Sequence, residues 1–509
     1  MMRFSIPWLA LALAVAAPAA SAQPADTLAL SLDEAVIRAQ RDADEARLAA
    51  AQVDAADAQI TAARATGLPQ LRLTSTYNHQ IENARAQAVG QIFGQANTYN
   101  TNLNLSQALF QGGRVVAASR AASRVGEAAR LDLEEARRAL TVDVQRAYFE
   151  AVLAAQLVEI QERNLALADA RLAQVQRLEQ GGRAARYDVL RARVERSNLE
   201  PLVIQARSSR ELALLELKRL LNLPVERPLA LTTRLDGDAV LATLGDTTAA
   251  AAAAAPAAAP AAPVPSTASP ALAAVPRDLV EGRPSVRAAR LTAEARHFGI
   301  SVARADRLPS VTIAGVFGYQ AYPTGGFLAN VPTQFGRVVA TPCPTAADPT
   351  RTCNQQNGGW FSDRAVSLAV SWPLFDGLRT RANIELAEAQ TRVAELQLEQ
   401  QREAVTLEIA RARTELARAR AAYLAQRQNV AEAEEAYRLA ALRFERGLAT
   451  QLEASDAQLA QLTAQSNAVR ASYDLFLAAA ELARAEGRPI PTPPATAAAP
   501  APPSTRRTP

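Results

Sequence analysis

Two very long stretches without proline dominate this sequence of 509 residues. The first covers residues 114–180 with one internal glycine, Gly126, and the second covers residues 378–446. Both are rich in Ala, Arg, Glu and Leu, which favour helices. At 1.5 Å per residue each predicts a helix of roughly 100 Å, far longer than the usual globular helix. The chain is therefore not an ordinary globular domain.

Shorter helical segments accompany the long ones. Apolar residues, many of them alanine, recur at spacings of three and four in the long stretches, so neighbouring helices can pack closely. Residues 188–222 and 453–486 return antiparallel after short turns and are about half as long. We therefore expect residues 32–66 and 283–307 to stack end to end with them. Pro201 predicts a kink or break in the first return helix.

The chain repeats its own plan once, and such repeats are an early clue to architecture. Two of the three shared motifs have the same offset of 265 residues, so the segments between them have equal lengths. The motifs are Leu68-Pro69 with Leu308-Pro309, Leu109-Phe110-Gln111-Gly112 with Leu374-Phe375-Asp376-Gly377, and the turns at Gly182 and Gly447.

The repeats are separated by low-complexity sequence. Repeat 1 spans residues 23–235 and repeat 2 spans residues 283–488. Residues 236–282 between them are rich in Ala and Pro, and residues 489–509 form a Pro-rich tail. Such composition does not bury a core, so we predict a solvated linker and a disordered tail.

Each repeat also contains two segments that alternate between apolar and polar residues. Leu71 and Leu73, for example, alternate with Arg72 and Thr74. Period two predicts strands with one apolar and one wet side. The predicted strands cover residues 69–81, 99–110, 309–320 and 364–375.

These strands match a membrane barrel better than a soluble sandwich. Nothing nearby in the sequence has the composition to cover their apolar sides, and Tyr, Trp and Phe occur towards their ends. Strands of about 10 residues with an apolar outside and a polar inside are typical of transmembrane barrels. Four strands cannot enclose a lumen, since small barrels already need about eight. Several chains must therefore contribute.

Composition argues against other classes of protein. The charge of +4 comes almost entirely from Arg, because Lys218 is the only Lys, and the Arg residues alternate with acidic ones. That pattern predicts solvated helix faces and no nucleic-acid partner. His79 and His297 are the only histidines, and no phosphate-binding or nucleophile motif is present. We predict neither an enzyme nor a bound metal or cofactor.

The N-terminus has the form of an export signal. Arg3 precedes a short apolar run, and Ala20-Ser21-Ala22 resembles a signal-peptidase site, which predicts a signal peptide over residues 1–22. The apolar run is too short for a membrane anchor, the alternative interpretation. In an oxidising compartment Cys343 and Cys353 favour a disulfide over free thiols or metal ligation.

With its duplicated motifs in this order and spacing, the chain resembles the TolC-like outer membrane efflux protein family. The resemblance covers nearly the whole chain outside the signal, linker and tail. It implies a mixed α/β membrane protein in the outer membrane: a homotrimer with a 12-stranded transmembrane β-barrel, four strands per chain, built from two internal repeats. A long antiparallel α-helical coiled-coil barrel would continue it into the periplasm.

The resemblance also implies where the functional residues lie. The turns with Gly181, Gly182, Gly447 and Leu448 would form periplasmic tips that contact an adaptor protein. Acidic residues after the tips would constrict the pore and attract cations, and the matching positions are Glu453, Asp456 and Asp188. Helix N-terminal acids favoured by the helix dipole are the alternative interpretation.

Two departures concern the gate. The family pattern places Arg and Tyr where this chain has Ala449 and Phe444, so any lock between helices uses other residues. The nearest candidates are Arg183, Arg186, Arg443 and Arg446.

The implied function is the exit duct of a tripartite efflux system. It would passively conduct small toxic compounds from an inner-membrane transporter and a periplasmic adaptor to the outside. A type I protein-secretion duct is the alternative on the same fold. A periplasmic coiled-coil protein without a pore is a second alternative, and it predicts no membrane strands. The long loop over residues 321–363 should face outside the cell, where such loops are longer.

Overall fold

The computed structural model describes residues 28–82, 96–233, 235, 237–242, 275–323, 326–328, 330–336, 338–342, 352–356 and 359–490. The predicted signal peptide, the middle of the predicted linker and most of the predicted tail lie outside these residues. Cys343 also lies outside them, so the predicted disulfide falls beyond the described part of the chain.

Helices account for most of the described residues. They are α1 (Leu32–Asp42), α2 (Asp44–Ala65), α3 (Arg114–Gln180), α4 (Arg186–Leu220), α5 (Arg277–Gly282), α6 (Pro284–Ala305), α7 (Arg379–Glu445) and α8 (Gln451–Ala485). The long helices α3 and α7 have 67 residues each, and the return helices α4 and α8 have 35 each. Among the described helices, none combines the length and the apolar character required to cross a bilayer.

Two successive residues with left-handed backbone precede each long helix. Gly112 and Gly113 have φ of 58° and 82° before α3, and Gly377 and Leu378 have φ of 67° and 69° before α7. This conformation turns the chain sharply from strand to helix, and glycine adopts it without steric cost. The Gly residues of the duplicated motif therefore make the two strand-to-helix corners.

The helices pack side by side, and their order differs between the two halves of the helical region. In the half next to the sheet the order is α2, α3, α6, α7, and in the other half it is α4, α3, α8, α7. α6 and α8 meet end to end along α7, where Val286, Ala485 and Ile409 form one buried cluster. The short helices thus extend the return helices to the length of the long ones.

The main core lies halfway along α3. Tyr148 and Phe149 are fully buried there, and the Phe149 ring centroid is 4.1 Å from that of Phe476 on α8. The Tyr148 hydroxyl donates to the Leu30 carbonyl at 2.9 Å and accepts from the Thr233 N–H at 3.1 Å. This core therefore joins the first residues of repeat 1 to the residues that follow α4.

A partly buried ion network joins α3, α7 and α8 to the residue just before α6, where α6 and α8 meet. Arg283, only 2% exposed, donates to Glu135 of α3 at 2.7 Å and lies 3.4 Å from Glu408 of α7. Arg484 of α8 pairs with the same two carboxylates. Because two cations face two anions, none of these four charges is left uncompensated.

The described strands form one large sheet and two small ones. They are β1 (Leu28–Leu30), β2 (Gln70–His79), β3 (Asn97–Gln111), β4 (Leu229–Leu231), β5 (Ser310–Ala321), β6 (Val338–Pro342), β7 (Thr352–Gln356) and β8 (Trp360–Ser371). The large sheet is fully antiparallel in the order β2, β3, β5, β8. β1 pairs with β4, and β6 pairs with β7.

The register of the large sheet separates apolar from polar side chains. Leu73, Leu103 and Phe317 lie in one row of directly paired positions, and Thr74, Asn102 and Gly318 lie in the next. Directly paired residues share a face. We call the two sides the apolar face and the polar face. On the apolar face Arg364, paired with Phe317, is the charged exception among the described residues.

The structure corrects several expectations. Strand β8 covers residues 360–371, four residues earlier than predicted, because Pro373 has no N–H for the ladder. Pro201 does not break the return helix, since α4 continues through it from Arg186 to Leu220. The ends of the predicted linker are packed, with Val240 and Val280 both buried. The predicted outer loop contains the β6–β7 hairpin.

Candidate functional site

The two tips, far from the sheet, have the same backbone. Gly182 and Gly447 have φ of 69° and 73°, and each ends a long helix. The following N–H groups, of Arg183 and Leu448, each donate at 2.8 Å to a carbonyl five residues earlier. This is the glycine-terminated helix end that satisfies otherwise free carbonyls.

The tips differ in what they expose. Gly181 and Gly182 are exposed, and the next residue is the charged Arg183. Gly447 is followed by Leu448, whose apolar side chain is exposed. The second tip therefore offers a small apolar contact that the first tip does not.

Asp188 serves as a helix cap. Its carboxylate accepts the N–H of Ala185 at 3.1 Å, at the start of α4. That bond satisfies a backbone donor which the helix leaves free and places negative charge at the positive end of the dipole. Within one chain, Asp188 therefore acts as a helix cap.

Glu453 and Asp456 begin α8 on an exposed surface. The Glu453 N–H donates to the hydroxyl of the capping residue Thr450 at 3.3 Å, and that hydroxyl lies 3.4 Å from the Glu453 carboxylate. Asp456 is exposed, and its carboxylate makes no hydrogen bond or ion pair with another described residue. Asp456 is therefore the most available carboxylate of the three predicted constriction residues.

A polar clasp joins three helices beside these carboxylates, and it was not predicted from the sequence. Arg171 of α3 donates to Ser455 of α8 at 2.8 Å and to Glu195 of α4 at 3.4 Å. Ser455 in turn donates to Glu195 at 3.2 Å. Arg171 is only 10% exposed, so solvent screens this pair less than a surface pair. Ser455 lies between Glu453 and Asp456 in the sequence.

A second buried bond reinforces the clasp. The Gln458 side chain donates to Asn164 at 2.6 Å between α8 and α3. The clasp residues are 24 and 284 positions apart in the chain, so no local spacing indicates them. The sequence also does not predict that Gln458 and Asn164 are buried opposite each other, because that depends on which helices pack together.

The four predicted locking arginines do not form a lock within one chain. Arg183, Arg186, Arg443 and Arg446 make no ion pair with another described residue. Among the residues that the structure describes, no group of three or more His, Cys, Asp or Glu has the geometry to hold a metal ion.

Comparisons with known proteins agree on a family. The family model described as "Outer membrane efflux protein" matches residues 38–223 and 275–488. Outer membrane protein OprJ of Pseudomonas aeruginosa is 26% identical over 438 residues, which cover 86% of this chain and 79% of OprJ.

Solved structures share the fold. A membrane protein from Pseudomonas aeruginosa has a TM-score of 0.66 at 24% identity, covering 90% of this chain and 93% of that one. The outer membrane protein VceC of Vibrio cholerae has a TM-score of 0.65 at 21% identity, covering 90% of this chain and 97% of VceC. The fold is therefore the TolC-like one that the sequence motifs predicted, and the expected location in the outer membrane is confirmed.

Proposed function

The chain belongs to the outer membrane efflux protein family, and from this premise we propose that three copies form one passive exit duct through the outer membrane. The duct takes small toxic compounds from an inner-membrane transporter and a periplasmic adaptor. In this proposal the chain supplies no catalysis, and the transporter supplies the energy. The alternatives of a protein-secretion duct and of a coiled-coil protein without a pore are not favoured, because the family is one of efflux proteins.

The large sheet is the observation that carries the proposal. Among the described residues neither edge strand, β2 or β8, pairs with a further strand, and only an isolated bridge joins Trp360, the first residue of β8, to Phe335. The two edge strands run in opposite directions. The β8 edge of one copy can therefore pair antiparallel with the β2 edge of the next, and rotation closes the ring. When three four-stranded sheets close into a ring, the backbone N–H and C=O groups of every edge strand are paired, as a barrel in lipid requires.

The polar face then lines the lumen. It carries Thr74, Thr76, Asn100, Asn102 and Asn104, which suit a water-filled passage. The apolar face carries Leu and Val side chains that are exposed in a single chain. Turned outwards, these side chains contact lipid.

The helical part of the chain also has an uncovered flank. Most of the exposed large apolar residues on α7 recur every seven residues, with Leu439 as the exception. Leu386, Val393, Leu407 and Leu442 are separated by multiples of seven, and Leu396 and Leu424 by 28. A 3.5-residue period is the pattern of a seam between supercoiled helices. In the proposed trimer, the α2–α4 side of the next copy covers this seam.

At the tips, three copies place three sets of carboxylates around the axis. In this proposal Asp456, Glu453 and Asp188 attract cations at the narrowest point. The clasp of Arg171, Glu195 and Ser455 holds α4 and α8 against α3 and so resists their outward movement. Exposed Leu448 is the proposed apolar contact with the adaptor.

Conductance in a planar lipid bilayer tests the proposal. The purified protein should form pores with a preference for cations. The double variant Glu453→Ala and Asp456→Ala should lose that preference. Glu395→Ala with Glu403→Ala removes the same charge from the sheet-proximal half of α7 and is the matched control, so its selectivity should remain. No conductance from any of these proteins would refute the channel, whereas pores of unchanged selectivity would refute only the constriction.

A third variant tests the clasp. Arg171→Met keeps much of the apolar stem and removes the charge that links α4 and α8 to α3. We expect more frequent or longer openings in the same bilayer recordings. Arg163→Met, at an exposed arginine of α3 paired only with Glu159 on its own helix, is the control. Identical gating in both variants would assign the clasp a purely structural role.

A further inference from the structure

The segment that follows β5 contains no charged residue. From Tyr322 to Gly336 the sequence is Tyr, Pro, Thr, Gly, Gly, Phe, Leu, Ala, Asn, Val, Pro, Thr, Gln, Phe, Gly. We call its described residues, 326–328 and 330–336, the rim segment. An uncharged run of this length is unusual for a loop, because loops ordinarily face water.

The rim segment crosses the outer end of the apolar face. Phe327 packs edge-on against Tyr77 and His79 of β2, with ring centroids 6.0 and 5.5 Å apart. Phe335 packs against Tyr319 of β5 at 5.6 Å. Tyr77, His79 and Tyr319 all point to the apolar face in the sheet register. Both ends of the segment therefore lie on the side of the sheet that faces away from the lumen.

Hydrogen bonds hold the backbone of the segment in this position. The Leu328 N–H donates to the Tyr77 hydroxyl at 2.7 Å. The Trp360 indole N–H donates to the Pro332 carbonyl at 2.7 Å, and the Gly336 N–H donates to the Trp360 carbonyl at 2.6 Å. The polar backbone is thus satisfied in part by the sheet, which lowers the cost of removing it from water.

The apolar side chains of the segment still point outwards. Phe327, Leu328, Val331 and Phe335 are between 52 and 71% exposed. They continue the row of aromatic rings that Tyr77, Tyr99, Tyr319 and Trp360 form at this end of the apolar face. A contiguous apolar patch of this kind marks an interaction surface.

We propose that the rim segment is a lipid anchor that inserts into the outer leaflet, at the boundary between headgroups and acyl chains. This inference rests on the proposed barrel, in which the apolar face contacts lipid. The patch is continuous with that face, carries no charge and ends in aromatic rings, which prefer the membrane interface. The segment thereby widens the aromatic belt at the outer rim of each subunit.

Tryptophan fluorescence in vesicles of brominated phosphatidylcholine tests the anchor. Phe327→Trp and Val331→Trp place the probe in the rim segment, at exposed positions. Val366→Trp, in the middle of the apolar face, is the lipid-facing control, and Thr76→Trp, on the polar face, is the water-facing control. The emission of the native Trp360 and Trp372 is subtracted with the unsubstituted protein.

The expected result is loss of most of the added emission at Phe327→Trp and Val331→Trp, more with bromine near the headgroup than deep in the chains. Aqueous acrylamide should quench Thr76→Trp instead. If Val366→Trp is quenched by bromine but both rim probes behave like Thr76→Trp, the anchor is refuted and the barrel stands. Rim probes protected from both quenchers would assign the segment to a neighbouring subunit. If bromine does not quench Val366→Trp, the barrel and the anchor are both refuted.

Discussion

The strand-helix unit of repeat 1, β3 with α3, and its counterpart in repeat 2, β8 with α7, have similar sequences and different surroundings. Helix α3 contacts α1, α2, α4, α6 and α8 and has 18 buried residues. Helix α7, equally long, packs mainly on α6 and α8 and has nine buried residues. Strand β3 is paired on both sides, whereas β8 is an edge strand.

This contrast teaches that one unit is the centre of the described chain and the other is its open flank. Both are amphipathic, so the difference does not arise from helix-forming ability or composition. It arises because α3 and β3 are packed or paired on both sides within the chain, whereas the apolar stripe of α7 and the edge of β8 are covered only in the proposed trimer. Four predictions test this contrast, from the largest expected effect to the smallest.

Phe149→Ala should cause the largest loss of stability. The ring is fully buried against Phe476, and removal of such a ring typically costs about 3–5 kcal/mol because a cavity remains. The apparent unfolding temperature of the purified protein, followed by circular dichroism, measures it. Leu396→Ala lies on the α7 seam, which is exposed within its own chain and in the proposed trimer is covered only by the next copy, so this variant should lose less. Equal losses would mean that the flank is as buried as the centre.

Val366→Arg on β8 should prevent assembly in the outer membrane. A basic residue at the lipid-facing midplane of a barrel costs about 2–4 kcal/mol, and a trimer contains three copies. Ser367→Arg, the adjacent residue on the polar face, is the matched control and should be tolerated. The heat-modifiable trimer band in outer-membrane extracts reports the result. Tolerance of both arginines would show that β8 does not face lipid.

Val393→Glu combined with Leu407→Glu should weaken association of the subunits. Each change removes an apolar side chain from the α7 seam, worth about 1.5–3 kcal/mol when it is fully covered by a partner. Size-exclusion chromatography with light scattering in detergent should detect dissociated chains. Glu395→Gln with Glu403→Gln changes neighbouring polar positions and should remain trimeric. An intact trimer in the first variant would place this stripe outside the interface.

Tyr473 on α8 should produce the smallest effect, and only at high pH. Burial, followed by the nearby Glu150 of α3, raises its pKa to about 12. The folded state then keeps the phenol neutral while the unfolded chain ionises above about pH 10. This contribution to stability is complete below that pH and is lost as pH rises towards 12. The unfolding temperature of wild type should fall more steeply over this range than that of Tyr473→Phe.

Tyr187→Phe, at an exposed tyrosine of α4, is the control for the pH effect and should follow wild type. If Tyr473→Phe has the same slope as wild type, the surface between α8 and α3 is more hydrated than the packing indicates.

Much of the fold was accessible from local sequence. The long helices were placed at residues 114–180 and 378–446, and the structure has them at Arg114–Gln180 and Arg379–Glu445. Their boundaries follow from glycine in left-handed backbone, a signal carried by single residues. Strand β8 was misplaced because alternation continues past Ser371, where Pro373 ends the hydrogen-bonded ladder.

The candidate site was less accessible. Acidic residues after the tip glycines mark the start of α4 and α8, but their spacing does not separate a cap from a pore-lining role. Arg171 was not identified at all, because its partners Glu195 and Ser455 come from two other helices. A lone Arg on a helix rich in Arg has no distinguishing neighbours in the sequence.

By itself, the sequence determined what depends on neighbouring residues: the lengths of the helices, the alternation of the strands, the glycine turns between strand and helix, and the apolar face of the sheet. Tertiary structure alone decided which units became centre and flank, how β3 paired with β5 across the 198 residues between Gln111 and Ser310, and which charges met in the clasp and around Arg283. Local propensity acts over a few residues, whereas these contacts depend on the relative position of whole helices, which only packing specifies.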